Sequence, residues 1–184
     1  MKEKSRRQLQ LFLEVRDVTP VIWRRILVDA SSMDLKRLHA AIQILMGWYD
    51  YHLHEFSIDG KYYAPPSDED DREIHSERKR LSTIFRTKGK TILYNYDFGD
   101  DWVIELSLEC EDLIEGQIPK VTCIAGREAG PIEDSGGPFG YMEKLQILAD
   151  PTHPEYGELL EWMPTGFDAE KVDFQFINEG LAFL

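Results

Sequence analysis

Four stretches of this sequence combine residue types that can hold a ligand or move a proton. The first is His52-Leu53-His54-Glu55-Phe56. Read as strand, it sets His52, His54, Phe56 and Ile58 on one face, because side chains alternate. Two imidazoles at that spacing can reach one metal ion or one proton-transfer site. The spacing is permissive only, since metals take three or four ligands. A hydrogen-bonded or surface pair is the plainer reading. The second stretch is Tyr94-Asn95-Tyr96-Asp97-Phe98-Gly99-Asp100-Asp101-Trp102. Asp97 and Asp100 can meet across the bend at Gly99. Close carboxylates then require a proton, an arginine or a cation. Alternatively, aspartate and glycine here simply serve a turn.

The third stretch, Gly130-Pro131-Ile132-Glu133-Asp134-Ser135-Gly136-Gly137-Pro138, leads into a helix. Free N–H groups at a helix start attract anions. This is not a P-loop, because no Lys-Ser/Thr follows the last glycine. Glu133 and Asp134 would oppose a phosphate unless a metal bridged them. Asp134 or Ser135 can also serve as the helix cap. The fourth stretch is Trp23-Arg24-Arg25, which places guanidiniums on opposite faces of one strand. One of them must face an apolar layer, and a buried arginine needs compensation. Asp97, Asp100, Glu133 and Asp134 are the candidate partners. The candidate pocket is thus Trp23, Arg24, Arg25, His52, His54, Asp97, Asp100, Glu133 and Asp134. His52, His54, Asp97 and Asp100 are the metal-ligand candidates, and a divalent ion is the one cofactor they suggest. His39 shares the apolar face of a helix and reads as a core histidine. Cys110 and Cys123 read as packing residues.

These groups need elements to position them. Gln8–Val15 alternates and reads as a strand, and Val21–Val28 as a second. Ser31 or Ser32 can cap a helix bearing Leu35, Leu38, Ile42 and Leu45, which Gly47 ends. Trp48–Ile58 reads as a strand, turned by Asp59-Gly60 into Lys61-Tyr62-Tyr63. Ala64–Glu77 is polar and reads as a mobile loop. Leu81–Phe85 suits a short helix. Strands over Lys90–Phe98 and Trp102–Cys110 flank the Gly99-Asp100 turn, and Val121–Ile124 is a further short strand. Helices are predicted after Pro138 and over Glu155–Met163, with partial helix in Asp168–Leu184. The expected fold is α+β: a mostly antiparallel sheet of about five to six strands with helices packed on it, in the order β-β-α-β-β-(α)-β-β-(β)-α-α-α.

The chain has 184 residues and a formal net charge of -13. That length suits a single domain spanning 1–184. The charge is uneven: residues 1–50 carry +3, 51–110 carry -5 and 111–184 carry -11. Only Lys2–Arg7 and Arg78-Lys79-Arg80 are basic patches, so the balance disfavours nucleic acid and suits a basic partner or a cation. No apolar run approaches the roughly 20 residues of a membrane span. Two cysteines give no disulfide framework, and the expected home is the cytoplasm.

Pro20-Val21-Ile22-Trp23-Arg24-Arg25-Ile26, Leu38-His39, Met46-Gly47-Trp48, His52–Phe56, Tyr94–Trp102 and Pro131–Tyr141 occur together. This combination resembles the plasmid pRiA Orf-three-like family, which also travels as an insertion-sequence passenger under a TnpR-like label. The resemblance spans about residue 8 to about residue 178. It implies a single α+β domain linked to plasmids and mobile elements, and no particular activity. Members often carry a histidine two residues after the tryptophan of the Asp-Phe-Gly-Asp-x-Trp string; here that residue is Ile104. The expected function is a binding or accessory module taking a small ligand or a protein partner. The alternatives are a metal-assisted hydrolase and a weak nucleic-acid binder.

Overall fold

The computed structural model describes residues 5–66 and 72–184. The start of the Lys2–Arg7 patch and part of the predicted loop Ala64–Glu77 lie outside them. Among the described residues the strands are β1 (Arg6–Val15), β2 (Trp23–Asp29), β3 (His54–Ile58), β4 (Lys61–Tyr63), β5 (Ile74–His75), β6 (Thr91–Tyr96), β7 (Trp102–Ile114) and β8 (Val121–Arg127). The helices are α1 (Leu35–Met46), α2 (Leu81–Ile84), α3 (Gly137–Ala149), α4 (Tyr156–Trp162) and α5 (Phe174–Leu181). The fold is α+β, as the sequence predicts.

The sheet is larger than expected and is mixed. Its eight strands run in the order β5-β4-β3-β6-β7-β1-β2-β8. All pairs are antiparallel except β4 with β5, where Tyr62 pairs with Ile74 and Tyr63 with His75. β5 is two residues long, too short to display alternation, so its segment reads as loop. β7 also outruns its predicted end, because Arg6–Gln8 of β1 gives Asp112–Ile114 a partner.

One face of the sheet is the core face. Leu9, Leu11, Leu13 and Val15 of β1 are buried on it, next to Ile104, Leu106 and Leu108 of β7. α1 lays Leu35, Leu38, Ile42 and Leu45 against this layer. Its cap differs from the expected Ser31 or Ser32. Asp34 accepts from the Arg37 amide at 3.0 Å, while the Ser31 hydroxyl donates to Asp29 at 2.6 Å. Gly47 ends α1 at φ 74°, and its N–H reaches back to the last carbonyls. α3 starts from Gly136 with no side-chain cap, so neither Asp134 nor Ser135 caps it. At the edge strand β8, Asn178 of α5 accepts from the Cys123 amide at 2.8 Å and donates to the Cys123 carbonyl at 2.9 Å.

Two close approaches fix the end of the sheet where α1 stops. Arg24 lies on the core face opposite Leu13, and its guanidinium is buried. Nε donates to the Leu45 carbonyl at 3.2 Å, and Nη1 to the carbonyls of Trp23 at 2.8 Å and Arg127 at 3.0 Å. The arginine thereby ties the end of α1 to β2 and β8. Gly126 makes room for it: a Cβ there would lie 2.8 Å from Arg24 Cδ. The 128–136 loop then packs on α1 through Gly130, where a Cβ would come within 1.9 Å of the Met46 carbonyl oxygen.

The obstacle at Gly130 is backbone, which cannot swing aside. Gly130→Ala is therefore expected to destabilise the fold by about 2 kcal/mol or more, measured by urea unfolding. A loss under about 0.5 kcal/mol, the scale of a neutral surface change, would contradict this packing.

Candidate functional site

β3 begins at His54, not at Trp48. The apolar pattern misleads because the chain leaves α1 through Gly47 and runs as a loop until it reaches β6. His52 therefore sits in a loop, and the two histidines have separate surroundings instead of a shared ligand.

Three loops meet beside them: 47–53, 97–101 and 128–136. Tyr96, at the end of β6, joins two of these. Its hydroxyl donates to Glu133 and accepts from the Tyr51 amide at 3.1 Å. Burial, and secondarily Glu133, make this hydroxyl a weaker acid, raising its pKa well above the usual tyrosine value. Glu133 also accepts from the Tyr49 amide at 2.9 Å, and Trp48 Nε1 donates to the Pro131 carbonyl at 2.7 Å. Asp100 accepts from the Gly136 amide at 3.0 Å, tying the third loop to the second.

His52, Asp97 and Asp134 converge here. His52 Nε2 lies 3.6 Å from Asp97 Oδ2 and 3.2 Å from Asp134 Oδ1. One donor atom from each residue lies within 4.8 Å of the other two. Asp97 adopts a left-handed φ of 57°. Its Oδ1 accepts from the amides of Gly99 at 3.0 Å and Asp100 at 3.4 Å. The Asp97–Asp100 relation is thus side chain to backbone, not two facing carboxylates.

His54 belongs to a buried network. Its ring stacks on that of His39 at 3.5 Å, and its Nε2 lies 2.8 Å from Glu77 Oε1. His39 Nε2 lies 3.0 Å from Asp50 Oδ1, and its Nδ1 2.7 Å from the Tyr94 hydroxyl, which also accepts from Gln43 at 3.0 Å. A neutral His39 satisfies every partner: Nε2–H donates to Asp50, and Nδ1 accepts from Tyr94. Burial, then the adjacent His54, push His39 down to about 4. Burial also raises Tyr94.

The arginines divide as alternation requires, with unexpected partners. Among the described residues no carboxylate hydrogen-bonds Arg24; carbonyls hold it. Burial pulls it down to about 10, with Cys123, Glu128 and Tyr141 opposing. Arg25 and Trp23 lie on the opposite face, outside the loop cluster. The Arg25 guanidinium donates to both oxygens of Glu109, at 2.6 and 2.7 Å, and sits 5.4 Å from the Trp23 ring and 5.5 Å from that of Phe12. Sequence reading missed Asp50, Glu77, Tyr96 and Glu128. Glu77 carries no signal, since it meets His54 across 23 positions. Tyr96 had one: it alternates with Tyr94 immediately before the aspartate turn.

Two cavities flank the cluster. One, of about 500 Å³, is lined in part by Arg24, Tyr49, Tyr51, Glu133, Asp134 and Trp162. The other, of about 590 Å³, is lined in part by His39, Asp50, His52, His54 and Glu77.

Fold and site together define a class: α+β proteins whose single broad mixed sheet carries a histidine- and carboxylate-rich loop cluster at one end. The chain belongs to the plasmid pRiA4b ORF-3-like protein family, whose model matches residues 7–175. It is 33% identical over 176 residues to the uncharacterised protein y4hQ of Sinorhizobium fredii (strain NBRC 101917 / NGR234), covering 94% of this chain and 90% of that one. It is also similar to the crystal structure of the protein of unknown function MM3350 from Methanosarcina mazei Go1. The TM-score is 0.82 at 35% identity, with 94% of this chain and 98% of that chain covered. The resemblance read from the motifs is therefore correct. Among the described residues no helix is long and apolar enough to cross a membrane.

His39 generates a pH dependence. Its value in the fold, about 4, lies below its ordinary 6.5. The unfolded chain then binds more protons between these values. The stability from a neutral His39 is complete above about pH 6.5 and is lost as pH falls toward about 4. Chemical unfolding across this window should show that slope, and His39→Gln should flatten it. An unchanged slope in the variant would refute the neutral buried histidine.

Proposed function

We propose that the chain is a binding module that holds a positively charged group, such as a lysine or arginine side chain, in the 500 Å³ cleft. That volume falls within the range of small-ligand pockets. The observation that carries the reading is the exposed aromatic pair at its mouth. Tyr49 and Tyr51 stack at 5.7 Å with 18° between planes, and are 71% and 75% exposed. Such ring faces attract cations, and Glu133 and Asp134 stand beside them. Arg24 also lines the cleft, with Nε and Nη1 turned to carbonyls, so a cation is held at the tyrosine and carboxylate side. The net charge of -13 favours encounter with a basic partner.

Other features support a protein or small-molecule ligand over nucleic acid. Arg6 and Arg7 are paired with Asp29 and Glu111, so that basic patch is partly neutralised. Cys110 and Cys123 are both free, which suits the cytoplasm. The hydrolase alternative needs a metal-activated water, and its bearing feature is the His52 cluster.

Fluorescence polarisation with labelled hexapeptides, one set rich in lysine and arginine and one in glutamate, tests this. The basic set should bind, and more weakly as salt rises. Combined Tyr49→Ala and Tyr51→Ala should weaken it by about tenfold, the scale of two exposed cation–π contacts. Equal binding of both sets, or no effect of the double variant, would defeat the proposal.

A further inference from the structure

We propose that His52, Asp97 and Asp134 form a site for one first-row divalent cation of the zinc class. The inference stands apart from the cleft reading, although Asp134 lines the cleft too.

The primary observation is an enclosed nitrogen. His52 Nε2 is buried yet makes no hydrogen bond. It nonetheless faces two carboxylate oxygens, at 3.2 and 3.6 Å. As a bare lone pair, it would confront two negative oxygens. As an N–H, it would point between the two carboxylates without a well-aligned hydrogen bond to either. A cation between the three atoms resolves both difficulties.

The separations fit this reading. Bonds of about 2.1 Å to nitrogen and oxygen put neighbouring donors of a tetrahedral site about 3.4 Å apart. The two measured separations bracket that value. The histidine–carboxylate pairs next door are shorter, at 3.0 Å for His39–Asp50 and 2.8 Å for His54–Glu77. Those are hydrogen-bond lengths, and both pairs are engaged as such.

The surroundings orient the donors. Gly99 and Asp100 amides occupy Asp97 Oδ1, which leaves Oδ2 toward His52. Asp100 holds the Gly136 amide and so fixes the loop carrying Asp134. Such outer contacts are what set ligands in place. One neutral imidazole and two carboxylates balance a divalent charge. Nitrogen and oxygen donors suit zinc or its first-row neighbours, and three protein ligands leave a fourth position for water or a ligand atom.

The test uses the full chain, stripped with chelator and titrated with Co²⁺, then Zn²⁺. Co²⁺ should give visible absorption saturating at one equivalent, which Zn²⁺ abolishes. His52→Gln and Asp134→Asn should each weaken binding by about tenfold or more, with circular dichroism unchanged. Asp134 is 67% exposed, so its variant keeps the test meaningful if Asp97→Asn disturbs the turn. His39→Gln should retain the ion. Absence of saturable one-equivalent binding would overturn the site. So would binding that survives both His52→Gln and Asp134→Asn, or that is lost in His39→Gln alone. Peptide binding to the cleft is read separately, so either proposal can fail without the other.

Discussion

A buried guanidinium organises the end of the sheet where the loop cluster lies. Arg24 is only 1% exposed, so its donors must be met largely from within. Nε and Nη1 are met by carbonyls of α1, of its own strand β2 and of the distant β8. A charge satisfied by backbone fixes main-chain positions, where a salt bridge would fix only another side chain. The last turn of α1 is thereby held against the sheet end. The 47–53 loop leaves from that turn, and Gly130 closes on the same carbonyl row.

From that anchor the loop cluster follows by short steps. Tyr96 joins the first loop to the third, and Asp100 joins the second to the third. The loops are thus held to each other by these two side chains. Such bracing is what a rigid site needs, because loops alone drift. The two histidines illustrate how much a small difference in placement matters. His54, on the strand, is drawn into the core and stacked against His39. His52, two positions earlier and off the strand, is left facing carboxylates.

Much of the frame was legible from periodicity. Leu9 to Val15 and Leu35 to Leu45 announced β1 and α1, and Gly47 announced where α1 ends. Asp59-Gly60 gave the β3–β4 turn correctly. What failed were features with no local signature. β5 is too short to alternate. Asp34 caps α1 in place of the two serines, whose hydroxyls both turn back to Asp29. The convergence of His52, Asp97 and Asp134 was expected as a wider gathering, and part of it does gather. Trp23 and Arg25 do not, since alternation sent Arg24 inward and left its neighbours on the other face. Which carboxylate meets which histidine depends on loop paths, and composition does not encode those.

The contact between Asn178 and Cys123 has a consequence beyond local stability. An outermost strand offers unpaired amides and carbonyls, on which another polypeptide can continue the sheet. One carboxamide from α5 occupies both backbone groups of Cys123, imitating a single rung of the missing neighbour. At the opposite border, among the described residues, the sheet tapers to the two residues of β5. At Cys123, then, the sheet is closed to a second chain without curling into a barrel.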